Sequence, residues 1–238
     1  TDSNSEPIIA YMNARKEVLE LKTAVKTQVF AEEKPTPTGE REALLASMAA
    51  KGDFSKLEAE ALADAAKKAL TEASASRDPQ TVDLILDRAL YEYRRDIAGT
   101  SGIEYLSTVC KNDADIKNLC TAFRLKRRKA LPENAENFFY DGGAISVPDL
   151  MLFVKEPEKA KKALSATEYG TLALELADKK ASPSECEKAL EEKYYAGLMK
   201  VKDDIFGSGK VVAYAILYEK WLCDLRLLLT AKKVGKTI

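Results

Sequence analysis

Apolar residues recur every three or four positions along most of the chain, which is the spacing of amphipathic helices. In the first segment, residues 7–30, Val18, Leu21, Val25 and Val29 follow this spacing. Convincing strand alternation is lacking, and only FFYDGGAISV at 138–147 favours a short extended piece. The pattern therefore predicts an all-α fold.

Proline, glycine and short polar runs divide this helical pattern. The clearest breaks are EEKPTPTG at 32–39, SRDPQ at 76–80 and the loop LPENAENFFYDGGAISVPD at 131–149. Between the breaks we expect helices at 40–52, 54–74, 81–99, 103–130, 150–164, 167–180 and 183–207, followed by a long final helix. Within that last helix, VVAYAILYEKWLCDLRLLL contains four charges, so we interpret it as buried rather than membrane-spanning.

Two helical motifs recur in the same order. Leu21, Leu119 and Leu225 align at separations of 98 and 106 positions, and LDRALYEY at Leu86 matches LEEKYYAG at Leu190 after 104 positions. Any two amphipathic helices align in their apolar columns, so the ordered recurrence carries more weight than either match alone. It predicts repeats of about 100 residues, longer than common solenoid units.

The repeats give a domain hypothesis with a remnant of the first helical repeat at 1–34, a second at 35–137 and a third at 138–238. We expect the three bundles in a pseudo-threefold, funnel-like arrangement, in a fragment whose first repeat is incomplete. The alignment also predicts burial at equivalent places of two bundles for Ile116, Leu119, Phe123, Leu222, Leu225 and Leu229.

Charge and cysteine usage narrow the function. The 238 residues contain 37 Lys plus Arg against 38 Asp plus Glu and no His, so the chain is not an obvious polyanion binder. The four cysteines form no CxxC pair, and zinc sites and Cys/His dyads lack their histidine. Buried, reduced cysteines are the expected state.

Candidate chemistry is weak elsewhere. FGSGKVVAY resembles a phosphate loop but has Asp204 and Val211 where the motif requires Gly and Ser or Thr. The acidic pair Asp203 and Asp204 has no second cluster at ligand spacing, so we expect no metal and no cofactor. The cations of RLKRRK at 124–129 could grip phosphates, although few aromatics accompany them.

The repeated helices resemble a known family, the C subunits of the prokaryotic V/A-type rotary ATPases, which are the counterparts of the d subunits of eukaryotic V-ATPases. The likeness runs from about residue 8 to the end, with departures at Cys120, Asp224, Trp221 and Gln28. The matching positions are Glu17, Val18, Leu21 and Lys22; Asp83, Asp87, Arg88 and Tyr91; Asp115, Ile116, Asn118, Leu119, Phe123 and Lys126; and Leu222, Leu225, Arg226, Leu228, Leu229, Ala231 and Lys232.

The resemblance implies a non-catalytic central-stalk subunit that couples the rotating shaft to the membrane rotor ring, for ATP-driven ion transport or ATP synthesis. Its expected partners are the shaft subunits and the proteolipid ring, without nucleic acid and without a membrane span. The expected location is cytoplasmic, peripheral to the membrane through the ATPase complex. A helical-repeat scaffold and a nucleic-acid binder built on RLKRRK are the alternatives.

Candidate partner-binding residues lie at two helix ends that align in the repeats. They are expected to contact acidic or carbonyl groups of a partner, whereas a solvated helix end favoured by the helix dipole is the simpler interpretation. The candidates are Arg124, Arg127, Arg128, Lys232 and Lys233.

Overall fold

A computed structural model describes residues 5–201 and 207–235, and these residues form α-helices without any β-strand. The all-α prediction is thereby confirmed for the described part of the chain. The helices group into two compact units, Thr1–Ser101 and Gly102–Ile238. The first unit contains α1 (Ser5–Phe30), α2 (Glu40–Lys51), α3 (Glu60–Ser76) and α4 (Pro79–Thr100).

The second unit contains the remaining helices and one 3-10 turn. In chain order these are α5 (Glu104–Lys126), the turn Ala135–Phe138, α6 (Val147–Lys155), α7 (Pro157–Leu164), α8 (Glu168–Asp178), α9 (Pro183–Val201) and α10 (Ser208–Lys233). The acidic pair Asp203 and Asp204, considered above as a metal ligand set, lies outside the described residues.

Side-chain caps explain where several helices begin. The Asp78 carboxylate accepts a hydrogen bond from Gln80 N at 2.9 Å, and Pro79 occupies the first helical position of α4. At α9, Ser182 and Glu185 form a reciprocal capping box in which each side chain accepts from the backbone N–H of the other residue. The helix α2 ends before Gly52, whose φ of +67° is a backbone conformation that favours glycine.

The core of the first unit lies along the apolar face of α1. Val18, Leu21 and Val25 are buried against α2, α3 and α4, which all contact α1. On α3, the fully buried side chains at Ala66, Ala69 and Ala73 are small, which lets α3 and α4 approach closely. The spacing of apolar residues along α1 therefore predicted its buried face correctly.

In the second unit, α5 occupies the corresponding place. Its buried face contacts α6, α8 and α9, and the Phe123 ring meets Phe153 of α6 edge to face, with ring centroids 5.5 Å apart. Leu119 and Leu190 are fully buried. A packed aromatic pair at the centre of this unit gains energy beyond the area that it buries.

Three local predictions differ from the structure. The helix expected at 54–74 begins at Glu60, because Asp53 accepts a hydrogen bond from Ser55 N and holds a turn there. The helix expected at 150–164 is divided by Pro157, which begins α7. Residues 138–147 contain no strand, since the backbone of Tyr140, Ala144 and Ile145 bonds to side chains of α5.

The predicted burial of the third apolar column is wrong. Ile116, Leu119 and Phe123 are buried as expected, but Leu222 is half-buried and both Leu225 and Leu229 are exposed, Leu229 by 59%. The reason is that α10 packs on α5 and α9 along its N-terminal half, where Val212, Ala213 and Ile216 are buried and Lys220 lies over the Tyr195 ring. The interpretation of residues 211–229 as a buried helix therefore fails beyond Ile216.

The compact units divide the chain differently from the predicted repeats. The repeat boundaries after residues 34 and 137 were drawn from the similarity between the repeated motifs. Each boundary leaves the aligned apolar helix, around Leu21 or Leu119, at or near the end of its repeat. In the structure, α1 and α5 instead pack with the helices that follow them. The division into three repeats and its pseudo-threefold arrangement stay a prediction.

Candidate functional site

The basic end of α5 is largely engaged within its own unit. Arg124 Nη2 lies 2.6 Å from Glu187 Oε2 of α9, and Arg127 Nη2 donates to the carbonyls of Lys180 and Ala181 at 3.3 and 3.2 Å. The Lys126 ammonium lies 4.3 Å from the centre of the Phe153 ring. Three cations of the RLKRRK segment thus face protein groups and stabilise the contact of α5 with its neighbours.

Arg127 has a further electrostatic reason for its position. The carbonyls that it binds follow the C-terminus of α8, where backbone dipoles concentrate negative charge. Arg127 is thus a helix-end cation, but it contacts the end of α8, whereas the simpler interpretation placed it as a solvated cation at the end of its own helix. Any role in binding a partner would compete with this internal contact.

The other candidates are exposed. Arg128 follows the last turn of α5, and Lys232 and Lys233 form the last turn of α10. Among the described residues, no side-chain hydrogen bond or ion pair to these three is found. They are the candidates with side chains available to acidic or carbonyl groups, and their role in partner binding stays a prediction.

Ion pairs join the first helix of each unit to a later helix, α4 or α9, at matching sequence positions. Lys26 Nζ lies 2.7 Å from Asp83 Oδ2 of α4, in the same way that Arg124 pairs with Glu187 of α9. Arg124 follows Lys26 by 98 positions and Glu187 follows Asp83 by 104, the separations of the two aligned motifs. Equivalent residues therefore make equivalent contacts in the two units.

A second pair of equivalent positions differs in charge. Lys22 Nζ lies 2.7 Å from Asp87 Oδ1 and 3.4 Å from Asp83 Oδ1, whereas the aligned residue of α5 is Cys120. Burial, together with the charge of the nearby Glu187 carboxylate, raises the pKa of the Cys120 thiol to about 12. This buried thiol stays protonated beside the acidic face of α9. Cys110, Cys120 and Cys186 are buried as expected, whereas Cys223 is half-buried.

The Asp83 contacts make stability depend on pH. Burial acts to raise the pKa of Asp83, but the hydrogen bond from Lys26 and the charges of Lys22 and Lys26 outweigh it and lower that pKa. The ion pairs therefore stabilise the fold above about pH 4 and lose this contribution as the pH falls through the lowered value.

We expect Asp83→Asn to reduce the free energy of unfolding at pH 7 by no more than about 1 kcal/mol, since the pair is partly exposed. At a pH below the folded-state pKa of Asp83, the variant and the original chain should be equally stable. Urea denaturation at both pH values measures the difference, and Asp64→Asn on the exposed face of α3 is the control. A loss that persists at low pH would contradict the ion-pair origin.

Two buried polar side chains of α5 hold the loop that leads to α6. The Asn118 side chain donates to Tyr140 O and accepts from Tyr140 N, both at 2.8 Å. The Asp115 carboxylate accepts from Ala144 N at 3.1 Å and Ile145 N at 3.0 Å. Burial raises the pKa of Asp115, although these two N–H groups act to lower it. These contacts satisfy polar groups that would otherwise be buried without partners.

Gly143 is required by the same contact. A Cβ atom at this position would lie 2.2 Å from Asp115 Oδ1, which is far inside van der Waals contact. Asp115 and Asn118 therefore have a structural role, and the sequence pattern that singled them out contained no sign of the loop they bind.

A cleft of the first unit lies between α1, α2 and the proline-rich connector before α2, with a volume of about 480 Å³. Three of its charged groups already have partners, since Arg41 Nε lies 2.6 Å from Glu20 Oε2 and Glu42 accepts from Thr38 N at 2.7 Å. In the described part of the chain, no group of three or more Cys, Asp or Glu side chains is arranged to hold a metal ion.

The sequence analysis missed an exposed apolar stripe on α10. Tyr214, Tyr218 and Trp221 stack along the helix, with centroids 6.3 and 5.8 Å apart, and each is about half exposed or more. Leucines continue the exposed surface toward the C-terminus of the helix. The spacing of these residues was visible in the sequence, but spacing alone does not reveal what covers a helix face.

The fold and its contacts define an all-helical protein made of two units. In each unit, ion pairing joins the first helix to a later one. A family model described as ATP synthase (C/AC39) subunit matches residues 2–236, so the chain belongs to this family of V/A-type ATP synthase subunits. The resemblance stated from the sequence is confirmed. No curated protein and no solved structure matches the chain significantly. Across the described residues, no helix is both long and apolar enough to cross a membrane.

Proposed function

We propose that this chain is a non-catalytic central-stalk subunit that couples the rotating shaft of a V/A-type ATPase to its membrane rotor ring. The observation that carries the proposal is the family match over residues 2–236. The coupling serves ATP-driven ion transport or ATP synthesis. The protein reaches the membrane as a peripheral member of the ATPase complex.

The internal construction of each unit supports a mechanical role. A subunit that transmits torque has to resist shear between its helices, and ion pairs cross from α1 to α4 and from α5 to α9. The clamp from Asp115 and Asn118 fixes the loop before α6 to α5. Contacts of this kind hold helices at fixed register, because each charge has a discrete partner.

A helical scaffold for other proteins is the second candidate, and the exposed stripe of α10 favours it. A contiguous apolar surface on a folded protein commonly marks an interaction site. The two functions differ in the partners that they require. A central-stalk subunit should co-purify with shaft subunits and the proteolipid ring, whereas a scaffold should co-purify with other proteins.

We expect charge reversal at the exposed cations to weaken assembly without changing the fold. The variant Arg128→Glu, Lys232→Glu and Lys233→Glu leaves intramolecular contacts intact, whereas reversal of Arg127 would also break its bonds to Lys180 and Ala181. Rim charges mainly affect association rate and its salt dependence. Co-purification of the tagged variant with ATPase subunits should fall, most clearly at moderate salt.

The matched control reverses three exposed lysines of the first unit, Lys34, Lys56 and Lys67. Both proteins should melt within a few degrees of the original chain, because surface substitutions rarely exceed about 0.5 kcal/mol. Unchanged recovery of ATPase subunits with the first variant would reject these cations as partner contacts. Recovery of other proteins in place of ATPase subunits, for the original chain, would reject the central-stalk function.

A further inference from the structure

The first two helices of each unit correspond to one another. The buried positions of α2 match those of α6 at a constant separation of 105 positions, just as α1 matches α5 at 98. In both units these two helices contact each other, so the groove between them can be compared residue by residue. The matched pairs of α2 and α6 are Leu45 and Leu150, Met48 and Phe153, and Ala49 and Val154.

In the second unit, the segment between α5 and α6 lies across both helices. Phe139 is 2% exposed and has an extended backbone, with φ −94° and ψ 152°. The backbone of the next residue, Tyr140, makes two hydrogen bonds with the Asn118 side chain of α5, and the turn Ala135–Phe138 contacts α6. An extended segment with a buried aromatic side chain thus covers this groove.

In the first unit, the segment between α1 and α2 does not cover the corresponding place. Residues 32–39 are all exposed, and the cleft described above lies between them and the two helices. Glu20, which aligns with Asn118, lines this cleft. Ala24 and Thr27 also line it and are half-buried, whereas the aligned residues of α5 are buried. The chain therefore covers the groove of its second unit and leaves that of its first unit open.

The apolar lining of the open cleft suits an aromatic side chain. Ala24, Leu45 and Ala46 line it from the two helices, and Pro35 and Pro37 line it from the connector. Proline and aromatic side chains pack on one another in many peptide-binding grooves. The corresponding groove of the second unit is covered by a segment that has three consecutive aromatic residues, FFY at 138–140.

The polar groups of the cleft favour recognition of a peptide backbone. The Gln28 side chain lines the cleft, and no hydrogen bond to it is found in the part of the chain that the structure describes. A side-chain amide both donates and accepts, so it can bind a peptide group of an extended segment, as Asn118 binds Tyr140 in the second unit. Arg41 and Glu20, in contrast, already pair with each other.

We propose that the cleft between α1, α2 and residues 32–39 is a docking site for a partner protein, which inserts one aromatic side chain from an extended segment and bonds its backbone to Gln28. The volume of about 480 Å³ is within the range of natural ligand sites and accommodates one large side chain with its neighbouring peptide groups. This docking goes beyond the proposed central-stalk function and does not depend on it.

A second copy of the chain is a poor occupant. Its own segment of this kind, residues 139–146, is already held on α5 by Asn118 and Asp115. Its exposed aromatic residues on α10 lie on a helix, whose backbone groups bond to one another and are not available to Gln28. The occupant is therefore a different protein.

The probe is the blocked peptide NFFYD, the sequence of residues 137–141, titrated into the full chain while its amide NMR signals are followed. A peptide with alanine in place of the three aromatic residues is the first control. Ala46→Trp places a large side chain in the cleft, and Ala43→Trp adds the same side chain at an exposed position of α2 outside the cleft lining. Gln28→Ala removes the backbone contact without filling the cleft. The melting temperature of each variant establishes that it is folded.

We expect NFFYD to shift the amide signals of Ala24, Gln28 and Ala46 in a saturable manner. The alanine peptide should bind at least about tenfold more weakly, because it buries no aromatic ring. Ala46→Trp should abolish the shifts, Gln28→Ala should weaken binding, and Ala43→Trp should leave binding unchanged. The signals of α5 and α6 should not shift, because their groove is already covered.

Absence of saturable shifts at the cleft would overturn the proposal, as would equal binding of the two peptides or unchanged binding to Ala46→Trp or Gln28→Ala. Shifts confined to α5 and α6, or to α10, would also overturn it, since the peptide would then displace the internal segment or bind the exposed stripe. Cleft signals that move with the concentration of the chain alone would overturn it in favour of a second copy.

Discussion

Phe123→Ala is expected to lower the free energy of unfolding by about 3 to 5 kcal/mol, because it removes a buried aromatic ring from the centre of the second unit. The ring is 5% exposed and meets Phe153 edge to face. The aligned residue of α10 is Leu229, which is exposed. Leu229→Ala should therefore change stability by no more than about 0.5 kcal/mol. Urea denaturation followed by circular dichroism compares the two variants.

The comparison isolates packing from sequence position, since both residues occupy the same column of the alignment. Phe123→Leu is the control that keeps an apolar side chain of intermediate size, and its loss should fall between zero and that of Phe123→Ala. Equal losses at Phe123 and Leu229 would show that Leu229 is buried in solution. That result would also weaken the case for the scaffold function, which is favoured by the exposed apolar surface of α10.

The periodicity of apolar residues and the positions of proline and glycine were sufficient to predict most helices. The apolar spacing of α1 and the prolines and glycine after it placed its end at Phe30 correctly, because proline and glycine interrupt a helix wherever they occur. The start of α3 was missed because a local bond between Asp53 and Ser55 N competes with the helix. Competition of this kind depends on geometry that apolar spacing does not encode.

The covering of a helix face is a tertiary property, which explains the error at α10. The alignment found that Leu119 and Leu225 share a column, and it inferred from this that they share an environment. Leu119 is buried because α6, α8 and α9 follow it in the chain and fold back over it. The same pattern on α10 lies on a face that the described chain leaves exposed, and apolar spacing does not distinguish the two cases.

The local sequence likewise did not reveal the partners of the basic residues. Arg124 binds Glu187 across 63 positions of sequence, and nothing near Arg124 in the chain marks this contact. One signal was available: Lys26 and Arg124 align, and so do Asp83 and Glu187. An alignment that included both motifs together would have predicted an ion pair between each cation and the acidic residue of the other motif. It would also have shown that Arg124 has a partner within the chain, unlike the exposed Arg128.

Asn118→Ala is expected to destabilise the second unit by about 2 to 4 kcal/mol, because it leaves two part-buried backbone groups without a partner. Each such group costs about 1 to 3 kcal/mol, with the upper value for complete burial. The substitution removes both hydrogen bonds to Tyr140, one from its N–H and one to its carbonyl. Asn112→Ala is the matched control on the same helix, at a half-buried position, and should have a much smaller effect. Chemical denaturation measures both.

Hydrogen exchange distinguishes loss of this clamp from general weakening of the unit. In Asn118→Ala the Tyr140 amide should exchange much faster, whereas the Ala144 and Ile145 amides should keep more of their protection because Asp115 still accepts from them. Uniform acceleration across α5 and the loop would instead indicate global destabilisation and would contradict a local clamp. Preserved protection at Tyr140 would mean that Asn118 does not hold the loop, and the register of residues 139–146 on α5 would then depend on Asp115 and the close approach of Gly143 alone.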